Sequence, residues 1–294
     1  MHSLSSSFFV PKQALRKAAL VGASALAMVL VAGQAKANSL VINGSFEETS
    51  NGTNKQVAVV AGTPYAGQSA SFTTLTGWTV VPGPLAVTSN NVNSYIFAFT
   101  AAGTGTGATN YYSSPLELWT NTNGGKATIT SSPDGGNFVG GDGAFPTNGK
   151  SNENIASLQQ TITGLTVGQT YALSFDWAAA QQHGYFGATT EEWSVSLGGQ
   201  TQDTPVYDLA SQSFSGWMGD TMYFTATSSS ELLSFLAQGT PSETEPPFVL
   251  LDGVALNNIT PEPGTLTLLL TGGIAGFGAL NRRRLMRKGR KAAK

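Results

Sequence analysis

The sequence predicts an all-β fold, an antiparallel β-sandwich flanked by two terminal segments of a different character. Three observations predict it. Residues 38–259 contain short runs of alternating apolar and polar residues and no long helical period. Clusters of Gly, Asn, Thr and Pro break those runs at short intervals, as turns do in all-β domains. The two ends are basic and the middle is acidic, so the termini are a different kind of segment from the domain they flank.

The elements follow in chain order. Lys12, Arg16 and Lys17 precede an apolar stretch over residues 18–33, and Ala35-Lys36-Ala37 then forms a small-residue cleavage pattern. This is the layout of a secretory signal peptide, cut by signal peptidase between Ala37 and Asn38. Residues 1–37 are therefore read as leader and residues 38–258 as the sandwich domain. Residues 39–46 read as a first strand. Residues 80–132 are rich in Gly, Thr, Asn and Ser and read as a long insertion, with edge strands near 95–99 and 116–119. Within it, residues 101–109 have the composition of a flexible loop. Residues 163–169 form a turn-rich link into a strand that places Tyr171, Leu173, Phe175 and Trp177 on one face. Trp193, Val195 and Leu197 repeat that alternation. Met222, Phe224 and Ala226, followed by Leu233, Phe235 and Ala237, read as an antiparallel pair, and residues 248–256 as the closing strand. No internal repeat emerges.

Residues 259–294 are organised in three parts: Pro261-Glu262-Pro263, an uncharged run over 264–280, and a basic end over 281–294. The 17-residue run reaches about 25 Å as a helix, a little short of a ~30 Å hydrocarbon core. It reads as a single transmembrane helix whose basic flank stays in the cytoplasm. The order of the three parts resembles the PEP-CTERM sorting signal. That resemblance implies recognition of Pro261, Glu262 and Pro263 by an exosortase, which removes the tail. The basic end, with Arg282, Arg283 and Arg284, opposes translocation. The implied course is export, a transient hold at the inner membrane, then the cell surface. An ordinary single-pass anchor is the alternative.

Charge and cysteine content exclude several function classes. Between residues 38 and 260 there are three lysines, no arginine and sixteen acids, a net charge of −13. Such a domain lacks the clustered Lys and Arg that phosphate backbones require, so nucleic acid is excluded as a partner. The chain has no cysteine, which removes disulfides, thiolate zinc sites and cysteine nucleophiles.

Few residues suggest chemistry. His183 is the only histidine beyond the leader, and no G-x-S-x-G elbow accompanies it, so a Ser-His-Asp triad is not expected. Asp176, Glu191 and Glu192 are the best carboxylates for glycosidase work, which needs two acids about 5–9.5 Å apart. Surface acids are the plainer reading, with Asp176 solvated opposite the apolar face of its strand. No catalytic residue is assigned. Tyr185, Phe186 and Trp217 lie in turn-rich segments and are the candidate sugar-stacking residues, because aromatic faces meet the apolar faces of sugars. Trp177 and Trp193 fall on alternating apolar faces and read as core.

A second resemblance rests on an ordered set of motifs. Asn43-Gly-Ser-Phe-Glu47, Gly77-Trp78, Gly136-Asn-Phe-Val139, Ser157-Leu-Gln-Gln-Thr-Ile162, Tyr171-Ala-Leu-Ser-Phe175 and Leu251-Asp-Gly-Val254 occur in the order seen in galactose-binding-like jelly rolls. Many bacterial carbohydrate-binding modules have that fold. The resemblance implies first and last strands lying together, often around a structural calcium, with Glu47 and Asp252 at the matching positions. Hydrogen bonding of these carboxylates to strand-end amides is the alternative. The closing motif has Asp252-Gly253 where the family usually has two aspartates. The expected protein is a non-enzymatic surface or matrix protein of the extracellular polysaccharide layer, in adhesion, floc or biofilm. A carbohydrate-binding module with a defined pocket and a secreted glycan hydrolase are the alternatives.

Overall fold

The computed structural model describes residues 39–59, 72–82, 95–100, 107–109, 115–143, 156–241 and 245–259. The leader, the cleavage point at Ala37 and Asn38, the loop over 101–106 and the whole tail with Pro261–Pro263 and Arg282–Arg284 lie outside the described residues. Among the described residues there is no helix, and so none long and apolar enough to cross a membrane.

The described strands are β1 (Lys55–Val57), β2 (Phe72–Thr73), β3 (Thr79–Pro82), β4 (Ile96–Thr100), β5 (Gly107–Thr109), β6 (Pro115–Glu117) and β7 (Asn137–Asp142) in the first half. The second half carries β8 (Ala156–Thr163), β9 (Thr170–Gln181), β10 (Thr189–Leu197), β11 (Gln200–Asp203), β12 (Tyr207–Leu209), β13 (Met218–Thr225), β14 (Ser230–Thr240) and β15 (Pro247–Asn258). They form two sheets. The larger runs β13-β9-β15-β7-β4-β1-β5-β6, with β2 also on β1. The smaller runs β11-β10-β14-β8-β3, with β12 also on β10. Pairing is antiparallel except at β1, which takes β2 and β5 in parallel.

The sheets face one another across a single apolar core. Tyr171, Leu173, Phe175 and Trp177 of β9 meet Trp193, Val195, Leu233 and Phe235 of β10 and β14 there. Phe175 and Phe235 pack edge to face at 5.3 Å, and the Trp193 indole crosses the gap to donate to the Leu250 carbonyl at 3.0 Å. This is a β-sandwich, whose two inner faces interdigitate. Gly141 on β7 leaves room for that contact: a Cβ there would come within 3.1 Å of Ala237 and 3.4 Å of Trp193.

Four expectations are corrected. Residues 39–46 are not a strand. Asn43 and Phe46 have φ of 51° and 57°, and the chain turns back so that Phe46 is buried against Trp78. The segment still runs beside β15, bonding it from Leu40 to Leu256 and from Val254 to Gly44. The strands around Phe224 and Phe235 are not partners: β13 pairs with β9 in the large sheet, whereas β14 pairs with β8 and β10 in the small one. Alternation specifies which face a residue takes, not which strand lies beside it. The strand predicted near 95–99 is interior, because β4 lies between β1 and β7. Asp176 is not a solvated surface acid; it is half-buried among other carboxylates.

The large sheet is also covered on its outer face. Phe97, Phe99, Phe138, Ala178, Ala180, Phe248 and Leu250 form a second cluster with Leu116, Leu118 and Ile129 of the segment after β5. Phe214 and Trp217 close it from the segment before β13. This explains why β9 and β15 cease to alternate at 178–180 and 248–251: these stretches are buried on both sides.

Candidate functional site

The outer face is roofed by loops, and side chains satisfy much of their backbone. Asn123 accepts from the Thr120 amide at 2.8 Å and donates to the Leu118 carbonyl at 2.9 Å. Gln181, wholly buried, accepts from the Gln212 amide at 2.7 Å and donates to the Gly187 carbonyl at 3.1 Å. Such a roof can hold an exposed side chain in a defined place.

Phe186 is that side chain. It is 60 % exposed, and its ring packs at 5.4 Å on the buried Trp119. Trp119 is held by its indole N–H, which donates to the Tyr185 carbonyl at 2.8 Å, and by His183, whose ring meets it edge-on at 4.3 Å. His183 Nδ1 lies 3.7 Å from Glu117, and its amide donates to the Glu117 carbonyl at 2.7 Å. Tyr185 is half-buried and contributes its backbone to this support. Trp217 has a different place. Its indole donates to Thr130 at 2.8 Å and its ring stands edge-on to Phe138 at 5.4 Å, so it seals the outer cluster rather than offering a free face. Of the three predicted stacking residues, Phe186 presents its ring to solvent. The Trp119–His183–Glu117 support was missed, because strand and loop bring together residues some 65 positions apart.

The predicted carboxylates separate by face. Glu191 points into the sandwich interior from β10, Glu192 points away from it, and Asp176 lies on the outer face of the other sheet. Asp176 and Glu191 therefore do not flank a common substrate. Glu191 is buried, with Thr189 donating to one oxygen and no partner for the other. Burial pushes its carboxyl up to about 8, against the Thr189 bond and with help from the Asp208 charge.

Asp252 sits opposite Asp176 in the register, where β15 bulges before Ala255. Gly253, at φ 61°, makes the bulge; a Cβ there would lie 3.0 Å from Asp176 Oδ2 and 3.3 Å from Asp134 Cβ. Asp252 is wholly buried; Ser132 donates to one oxygen and the other has no partner. Burial pushes its carboxyl up to about 7, against the Ser132 and Gly253 bonds and reinforced by Asp134 and Asp176. Asp176 is raised by burial and by Asp134. Glu47 is turned elsewhere, accepting from the Asn137 amide at 2.5 Å and side chain at 3.0 Å. Calcium takes six to eight oxygens. Among the described residues no group of three or more carboxylate or histidine side chains is arranged to hold a metal ion; Glu47 is engaged by Asn137 and Asp252 by Ser132.

Comparison with known proteins adds the following. Residues 141–257 match the family model described as "Protein of unknown function (DUF642)". No curated protein matches the sequence. Among solved structures, the chain is similar to a sugar-binding C-terminal domain, at 20 % identity and a TM-score of 0.26 over 34 % of this chain. It spans 64 % of that domain. It is similar to the enzymatically active domain of a bacteriophage CBA120 tailspike, at 14 % identity and a TM-score of 0.32, with 75 % of this chain and 21 % of the tailspike covered. It is also similar to a protein assigned as sugar-binding from Bacteroides thetaiotaomicron, at 14 % identity and a TM-score of 0.31, covering 75 % and 99 % of the two chains. TM-scores this low carry no assignment, and the sandwich is read from its own strand pairing.

Proposed function

We propose that the chain is an exported, non-enzymatic surface protein that associates with extracellular polysaccharide. Phe186 carries the reading. Its ring is held out to water on the buried Trp119, the placement an aromatic platform needs in order to stack on a sugar. The apolar face of a sugar ring matches it, with the acidic domain leaving anionic ligands disfavoured. The separation of Asp176 from Glu191 and the full burial of Asp252 support a binding rather than a hydrolytic role. The flanking signals support export by way of signal peptidase, a transient hold at the inner membrane through residues 264–280, and release to the surface by an exosortase acting at Pro261–Pro263.

Protein collected from the cell surface tests both parts. Its intact mass is expected to lack residues 1–37 and the tail; a mass that includes 266–294 means a permanent anchor. It is expected to be retained by insoluble polysaccharide without releasing reducing sugar, and Phe186→Ala is expected to lower retention. Release of reducing sugar would make it a hydrolase. A second reading, a module with a defined sugar pocket, is favoured by a groove of about 250 Å³ at the open edge of the sandwich.

A further inference from the structure

That groove is lined by residues of both sheets. It is lined by Trp177 of β9, by Met218, Gly219 and Asp220 at the start of β13, and by Pro205 and Val206 between β11 and β12 with Tyr207, the first residue of β12. β13 is an edge strand, and most of its outer edge is closed. Gln200 and Gln202 of β11 reach across to donate to the Thr225 and Tyr223 carbonyls, each at 2.7 Å. No such bridge reaches residues 218–220, and there the sandwich is open. Even-numbered residues of β13 face the interior: Phe224 and Met222 are buried, and the same parity brings Asp220 and Met218 into the mouth, half-buried. A carboxylate thus stands on the interior-facing side of an otherwise apolar groove.

Asp220 is the single charged residue of the lining. Its one bond in the protein is from the neighbouring Thr221 amide, at 2.6 Å. The two lysines of the described residues are used elsewhere: Lys55 on the Asn51 carbonyl and Lys126 on the Ser211 carbonyl. Asp203 and Asp208, on either side of the Pro205–Tyr207 wall, pair with Ser194 and Thr190 on the outer face of the small sheet, so Asp220 is the charge that faces the groove. An occupant complementary to this groove has an apolar face and a positive charge.

We infer that the mouth of the sandwich binds an amine-bearing sugar of a polysaccharide, its ring against Val206, Tyr207 and Met218 and its ammonium on Asp220. This rests on the polysaccharide reading above and names the substrate class within it: a glycan with free amines rather than a fully N-acetylated one. An inward carboxylate on an edge strand also discourages strand-to-strand aggregation, a role that would need neither the apolar walls nor a ligand.

The test titrates the full-length protein with a glucosamine hexamer and with the N-acetylated hexamer of the same linkage. The aminated hexamer is expected to bind at least tenfold more tightly, and added salt to erode the difference. Asp220→Asn is expected to abolish the preference with an unchanged melting temperature, and Val206→Ser to weaken binding of the aminated hexamer. Equal affinity for the two hexamers, or a preference that survives Asp220→Asn, overturns the inference. A lysine-rich peptide that binds in an Asp220-dependent way while the hexamers do not would also overturn it, in favour of a protein partner. Binding of the aminated hexamer that falls with Phe186→Ala and ignores Asp220→Asn would overturn this site and keep the polysaccharide reading. Absence of binding to any glycan would overturn both.

Discussion

The two faces of the large sheet are buried by different means. The inner face meets another sheet, and its residues come from strands that alternate: Leu173, Phe175 and Trp177 against Val195, Leu233 and Phe235. The outer face meets loops. Its apolar residues, among them Phe99, Phe138 and Leu250, lie under segments whose backbone is held by Asn123 and Gln181 and whose Ser215 hydroxyl accepts from the Ala179 amide of β9. A sheet brings its own hydrogen bonds to a core, whereas a loop must find them one by one. The outer face therefore carries polar groups into burial, Asp252 among them, and holds aromatic residues at its margin. Folding stability concentrates on the inner side, and the proposed recognition surfaces lie on the outer side and the open edge.

This contrast can be broken most strongly at its centre. Phe235 touches Trp78, Phe175 and Trp193, and Phe235→Ala is expected to cost about 3–5 kcal/mol in equilibrium unfolding. A loss under 1 kcal/mol would mean that the inner face is not the main core.

The next effect is one of pH. The Asp252 and Glu191 carboxyls are raised from 3.8 to about 7 and from 4.5 to about 8. Between the unfolded and folded values the native state holds a proton that the unfolded chain has released. Stability is thus full below about pH 4 with respect to these groups and falls as pH rises, by up to about 1.4 kcal/mol per pH unit for each. Asp252→Asn is expected to flatten the part of that slope below about pH 7 and leave the Glu191 part, which runs to about pH 8. A chain that gains stability from pH 5 to 8 would overturn both assignments.

A smaller effect is expected at the bulge. Gly253→Ala places a side chain at φ 61° and against Asp176, costing about 1–2 kcal/mol. The smallest effect on stability belongs to Phe186→Ala, within about 0.5 kcal/mol as for an exposed residue, while glycan retention falls. Trp217→Ala should destabilise more than Phe186→Ala, since Trp217 packs on Phe138. The reverse order would place the free aromatic face at Trp217 instead.

By itself the sequence determined the class of fold and the inward face of its main strands. Period-two alternation in 171–177, 193–197 and 222–226 is a local property, readable without knowing what lies opposite. It also determined the acidic character of the domain and that Trp177 and Trp193 are core. Tertiary structure decided the partners. It placed β13 and β14 in different sheets, made β4 an interior strand, and turned residues 39–46 into a loop around Phe46. The doubly buried stretches at 178–180 and 248–251 hold no alternation from which a second covering layer could be inferred. The same holds for Asp134, Asp176 and Asp252, and for Phe186 on Trp119: these residues are far apart in sequence, and strand order and loop course alone bring them together. Pairing free energy is spread over the whole sheet, so no short segment encodes its neighbour, and the sites that depend on neighbours become visible only in the folded chain.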